Sequence, residues 1–158
     1  MTVETELVFT GRQVIAGPAA GPALVTDARI SFFGGVDPAT GVVTERGHPL
    51  EGVSLAGKIL VYPGGKGSTG ATYTLYDMAA RKTAPLAIIS PEVDQVTVVG
   101  AVLGKIVSVD RIPPEFFDSV RSGQWIEIDG EHGIVRLSVD AQSQGEPDED
   151  QEDRHDRR

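Results

Sequence analysis

The chain has 158 residues, 40% apolar and 23% charged, with a formal net charge of −9 and no cysteine. That length and balance predict one globular domain with a real core. The missing thiols exclude disulfides, a thiolate nucleophile and ligation of an iron–sulfur cluster through cysteine.

In chain order, the N-terminus MTVETELVFTGRQ lacks the basic-then-apolar pattern of a signal peptide. No apolar run approaches the ~20 residues of a membrane-crossing helix, so a cytoplasmic chain without membrane association is expected. Short apolar runs then read as strand pieces: Glu6 to Phe9, Val14 to Ala16, Pro22 to Thr26 and Ile30 to Phe33. Lys58 to Tyr62 is the strongest, stopped by Pro63. A helix is predicted over about residues 71 to 82, with Ser68 and Thr69 as candidate N-caps and Arg81 and Lys82 suited to its C-terminal dipole. Leu86 to Ser90, Val96 to Val99 and Ile106 to Val109 read as further strands. A short helix is expected over 114 to 120, opened by Pro113-Pro114, and Trp125 to Ile128 and Ile134 to Leu137 close the body. Nineteen glycines and ten prolines favour this turn-rich, mixed α/β reading over a helical bundle. It is β-rich, with one main helix after the glycine-rich loop, and neither a regular βαβ alternation nor an all-β meander.

The folded domain is expected over residues 4 to 139. Residues 140 to 158 form an acidic segment without apolar periodicity, expected to be disordered, and His155 within it is expected to be solvated. From Ser138 onward there are eight acids and three arginines, leaving the body 15 acids against 11 bases. Without a basic stripe, nucleic-acid binding is disfavoured.

Two glycine-bearing stretches carry the candidate chemistry. In SFFGGVDPATG, Gly34 and Gly35 permit positive φ or close approach, and Asp37-Pro38 and Thr40-Gly41 are turn pairs. This reads as a hairpin-like loop or as a loop lining a ligand site or subunit contact. In PGGKGSTG, an apolar strand feeds a glycine turn and then a helix, which presents backbone N–H groups to a phosphate or carboxylate. A nucleotide P-loop fails the test: Gly65-Lys66 is followed by Gly67, and Leu60 stands where the first glycine belongs. Gly65, Gly67 and Gly70 match GxGxxG spacing, but no βαβ unit supports it. Taken locally, Ser68 is a helix cap contributing about 1 kcal/mol. No conventional triad is identifiable around it, and His48 and His132, both flanked by turn residues, read as structural or solvated.

Taken in order, GRQVIAGPAAGPALV, then SFFGGVDPATG with GHPLEG, then GKILVYPGGKGSTG leading to APLAII resemble the small subunit, or swivel domain, of the aconitase X dehydratases. The resemblance runs from Leu7 to Leu137. It implies a swivelling β/β/α domain packed over a large subunit that carries an iron–sulfur centre, with the active site between the two chains. It implies a hydro-lyase acting on a small hydroxy acid, phosphomevalonate-like or hydroxyproline-like. The GKGST form with tyrosines after it is nearer the phosphomevalonate branch. By the same resemblance Ser68 is the proton acceptor. Lys66, Gly67, Thr69 and Gly70 are then expected to hold substrate, and Gly34, Gly35 and Asp37 to line the site or the interface. No metal ligand and no bound cofactor are expected of this chain itself. The alternative is a non-catalytic anion-binding or structural partner subunit.

Overall fold

A computed structural model describes residues 4–66 and 68–140. The chain runs β1 (Glu4–Thr10), β2 (Arg12–Ile15), β3 (Ala19–Val25), a short helical turn α1 (Phe32–Gly35), β4 (Ile59–Val61), α2 (Thr69–Ala80), β5 (Ala87–Ile89), α3 (Gln95–Gly104), β6 (Val107–Asp110), α4 (Pro114–Ser119), β7 (Trp125–Ile128) and β8 (Ile134–Asp140). The strands join in the order β1-β8-β7-β3-β4-β5-β6-β2.

Strand β3 belongs to both halves of this sheet. Its first residues, Ala19 to Pro22, pair antiparallel with β7, and Ala23 to Val25 pair parallel with β4. At the outer ends, β1 pairs with β8 and β2 with β6, both antiparallel. Only Gly11 separates β1 from β2, so the sheet curls toward a barrel and its two edges meet there. The Gly11 N–H donates to the Gly133 carbonyl at 2.8 Å. A Cβ on Gly11 would lie 2.5 Å from the Asp110 carbonyl oxygen, so only glycine fits this corner.

The period-2 alternation of the short strands divides the core into two layers. Ile59, Val61, Ala87 and Ile89 point inward with Ile126, Ile128, Val135 and Leu137. Leu60 and Ile88 point the other way, against Ala71, Leu75, Met78 and Ala101 of the helices. Phe116 of α4 enters the inner layer, its ring edge-on to Phe9 with centroids 5.3 Å apart. The result is a β/β/α stack. Full burial of one such aliphatic or aromatic side chain is worth roughly 1.5–3 kcal/mol, so these two layers dominate the fold's stability.

The strand expected at Val96 to Val99 is instead the first half of α3. Its valines favour a strand locally, by about half a kcal/mol each against alanine in a helix. Context overrides them. β5 and β6 are parallel neighbours and need a crossover connection, which a helix supplies. Asp94 caps α3 by accepting from the Thr97 N–H at 3.0 Å. Gly100 lets α3 press onto α2, where a Cβ would come within 2.9–3.0 Å of Leu75. The stretch β4-α2-β5-α3-β6 is therefore a regular βαβαβ run in a parallel sheet, which corrects the reading that no such alternation exists. Ile30 to Phe33 is also not a strand. Ile30 makes one parallel bridge to Gly65, and Phe32 begins α1. The acidic segment from residue 140 lies outside the described residues, except that the backbone of Asp140 still pairs as the last residue of β8.

Two buried or semi-buried carboxylates organise the sheet ends. Asp110, fully buried, receives Arg12 through two bonds of 2.8 Å and the Val93 N–H at 2.9 Å. Asp129 sits in the β7–β8 turn and receives the backbone N–H groups of Glu131, His132 and Ile134 and the His132 ring. Burial alone would raise its pKa; the His132 N–H, the His132 ring and the other N–H groups outweigh that and bring it down to about 2. Because the folded value lies below the ordinary carboxylate value, the stabilisation is complete above pH ~4 and is lost as pH falls toward 2. Asp129→Asn is expected to flatten the acid limb of a stability–pH curve in that window. A mutant curve with the wild-type slope there would contradict the assignment.

Candidate functional site

The site is built where β4 ends. Val61 and Tyr62 are buried, and burial pushes the Tyr62 phenol far above its usual value, so it stays neutral. The chain then turns at Gly64, with φ of +143°, and runs through Gly65 and Lys66 alongside Ile30. The Ile30 N–H donates to the Gly64 carbonyl at 3.2 Å and the Lys66 N–H to the Ile30 carbonyl at 3.1 Å. Gly67 lies outside the described residues. Ser68 is the N-cap of α2, in extended conformation, and its Oγ accepts the Gly70 N–H at 3.2 Å. Ser68 and Thr69 are exposed, with Thr69 the first residue of the helix. The hydroxyl therefore stands in solvent at the positive end of a twelve-residue helix.

The two candidate loops come together here. Gly34 turns with φ of +87°, and Gly35 donates no side chain where the Glu45 carboxylate passes: a Cβ on Gly35 would lie 3.3 Å from Glu45 Oε1. Glu45 Oε2 forms an ion pair with Lys66 Nζ, which holds the Glu45 pKa below the ordinary carboxylate value. Oε1 of the same carboxylate is buried, and no side-chain or backbone group among the described residues is placed to hydrogen-bond it within 3.5 Å. The Phe33 ring lies over Gly70, where a Cβ would come within 2.6–3.0 Å of three ring atoms. Gly70→Ala is expected to push Phe33 off the α2 N-terminus, and adding Phe33→Ala should relieve the strain. A double-mutant cycle on thermal stability should give a coupling of ~0.5–3 kcal/mol; strict additivity would contradict the contact.

Asp37 is placed differently from the other candidates. Its carboxylate accepts the Ala39 N–H and the Thr40 hydroxyl, and its carbonyl accepts the Thr40 and Gly41 N–H groups. All these bonds stay inside one turn, so Asp37 shapes the loop. His48 is buried: its Nδ1 accepts the Leu50 N–H at 3.0 Å, which leaves Nε2 as the donor to the Arg29 carbonyl. It is a structural histidine that ties the Arg29 backbone to the 48–50 turn. His132 belongs to the β7–β8 turn.

Four residues of this site were not legible beforehand: Arg29, Phe33, Glu45 and Asp94. Phe33 lies within SFFGGVDPATG but has no chemistry that singles it out, and the other three belong to no local motif. Arg29 Nη1 donates to the Gly65 carbonyl at 3.0 Å, and Asp94 Oδ1 accepts the Gly65 N–H at 3.1 Å. Phe33, against Gly70, is 61% exposed, and Tyr73 and Tyr76 on α2 are 72% and 51% exposed, an aromatic rim open to solvent.

A β/β/α stack that carries a glycine-rich strand-to-helix turn on its helical layer is a swivel-type domain. The comparisons with known proteins give it a family. The model of the aconitase X swivel domain matches residues 8–137, and the chain belongs to that family. The phosphomevalonate dehydratase small subunit of Methanocella arvoryzae is 41% identical over 81% of this chain and 97% of its own length. The protein of the same name from Methanothrix thermoacetophila is 45% identical over 79% and 90%. The crystal structure of Thermococcus kodakaraensis aconitase X in its holo-form superposes with a TM-score of 0.78 at 37% identity, covering 83% of this chain and 98% of that one.

The resemblance brings an iron–sulfur cluster into question. The residues present do not fit one: the sequence has no cysteine, and among the described residues no group of three His, Asp or Glu side chains is placed to hold a metal. Among the same residues, no helix is long and apolar enough to cross a membrane.

Proposed function

We propose that this chain is the small subunit of a two-chain dehydratase that acts on phosphomevalonate, with Ser68 as the base at the seam between the subunits. The observation that carries this reading is the placement of Ser68 Oγ, exposed at the N-terminus of α2 and accepting the Gly70 N–H, three residues past the Gly64-Gly65 pair, in a family whose relatives bear that name.

Dehydration beside a carboxylate removes a proton from Cα. The C–H electron pair becomes the new C=C bond while the neighbouring C–O bond breaks and the hydroxyl departs, leaving as water with a proton. Ser68 Oγ is the proposed proton acceptor. An alkoxide is unfavourable in water, and its charge needs stabilisation from fixed dipoles. The Gly70 N–H and the α2 dipole point at the position where that charge develops. Lys66 is the proposed partner for a substrate phosphate or carboxylate, exchanging its bond to Glu45 for one to the ligand. Assistance to the departing hydroxide, and the cluster ligands that the family resemblance implies, fall to the large subunit. The exposed rim of Phe33, Tyr73 and Tyr76 suits burial against that partner.

The test is reconstitution: co-express the chain with the cysteine-bearing large subunit, purify the pair and assay water loss from phosphomevalonate. Turnover by the pair and none by either chain alone is expected. A pair that forms but leaves phosphomevalonate unchanged overturns the substrate. A second reading is favoured by the Oγ to Gly70 bond itself: Ser68 caps a helix in a subunit that only holds an anion or supports its partner. It predicts that loss of the hydroxyl leaves turnover intact.

A further inference from the structure

We propose that Arg29 and Asp94 are positioning residues that hold the glycine-rich turn, and through it Ser68, in reactive register; this rests on the reading of Ser68 as the reacting group. Both polar groups flanking Gly65 are gripped by side chains from different elements. Arg29, in the connection after β3, donates Nη1 to the Gly65 carbonyl at 3.0 Å. Asp94, at the head of α3, accepts the Gly65 N–H through Oδ1 at 3.1 Å. Each grip is itself braced. The Arg29 backbone carbonyl receives His48 Nε2, which ties it to the 48–50 turn. The Asp94 carboxylate receives the Thr97 hydroxyl and N–H.

The fit around Gly64 and Gly65 is close enough to make the arrangement specific. A Cβ at Gly64 would lie 3.1 Å from Arg29 Nη1, and one at Gly65 would lie 3.1 Å from Thr97 Oγ1. Among the described residues neither Arg29 nor Asp94 forms an ion pair within 4.0 Å, so their hydrogen-bonding is directed at the loop and at α3 rather than at each other. A glycine-rich turn has more backbone freedom than any other segment type. A serine three residues beyond Gly65 needs that freedom removed, because a displacement of about 1 Å at a reacting group can cost on the order of 100-fold in rate.

The experiment uses the full chain with three substitutions at two positions. Asp94→Ser keeps an N-cap oxygen for α3 but is too short to reach Gly65. Arg29→Met keeps the stem and removes the donor, and Arg29→Lys is the conservative rescue. In the reconstituted pair, Asp94→Ser and Arg29→Met are expected to lower kcat roughly 10- to 100-fold with KM for phosphomevalonate changed less than about threefold, and Arg29→Lys to recover most of that loss. In the isolated full chain, amide exchange at Gly65 and Lys66 is expected to rise about tenfold or more while α3 amides keep wild-type rates. A kcat within about twofold of wild type overturns the proposal, and so does a fall in kcat with unchanged exchange at Gly65 and Lys66. If the wild-type pair is inactive on phosphomevalonate, the function reading has failed separately. The exchange arm then decides whether the two side chains hold the turn, and wild-type exchange in both variants overturns that too.

Discussion

Ser68→Ala is expected to lower turnover of the reconstituted pair by about 10²- to 10⁴-fold, the range for loss of a general base. Association with the large subunit should be unchanged, since one exposed hydroxyl contributes little to a subunit contact. The alanine also removes the α2 cap, which by itself costs about 1 kcal/mol of stability. Ser68→Asn separates the two roles. Asparagine caps a helix as well as serine does but offers no hydroxyl to take a proton. Ser68→Asn should therefore keep the thermal stability of wild type and match the alanine variant in turnover. An asparagine variant with near-wild-type turnover would remove Ser68 from the chemistry and leave it as a cap.

Arg12→Ala should be the most damaging single change to the folded state among those considered. It removes both 2.8 Å bonds to Asp110 and leaves a fully buried carboxylate with the Val93 N–H as its remaining partner. Removing one partner leaves the charge of a fully buried carboxylate uncompensated, while the half-exposed Arg12 side chain itself loses little. A clear fall in Tm is expected, larger than for the other substitutions. The pH dependence has a definite sign. In the wild type, burial works to raise the Asp110 pKa, but Arg12, the Val93 N–H and Arg111 bring it below the ordinary value. That stabilisation is present above pH ~4 and is lost as pH falls below it. Without Arg12, burial dominates and the folded pKa rises, so the mutant gains relative stability on acidification. The gap between the two unfolding curves should narrow from pH 7 to pH 3. A gap that stays constant would show that Asp110 is not the group left uncompensated.

Much of the fold was legible because its strands are short, apolar and bounded by glycine or proline. Lys58 to Tyr62 before Pro63 and Leu86 to Ser90 each contain the observed strand. α3 was not legible, for a physical reason. Val99, Val102 and Leu103 are exposed on its outer face, so its sequence shows no polar side and no helical period. Its valines then mimic a strand. The glycine turn and the Ser68 cap were legible from residue types alone, because a strand, small residues and a capping serine in series leave few alternatives. The residues that set the turn's geometry were not. Arg29, Glu45 and Asp94 are separated from it in sequence by 20 residues or more and meet it only once the parallel strands are in place.

The pairing of β1 with β8 in the register Glu4↔Asp140 sets the order in which a newly made chain can complete itself. Of the described strands β1 is made first, and the strand it pairs with is made last. The parallel core of β3 to β6 can form earlier, from segments closer in sequence. β1 therefore waits as an unpaired edge through most of synthesis, and long-range pairings of this kind close slowly. During that interval its apolar run, Leu7 to Phe9, is open to the wrong neighbour. A chain interrupted before Ile134 has no partner strand for β1 at all, so premature release should yield aggregates rather than a smaller folded domain.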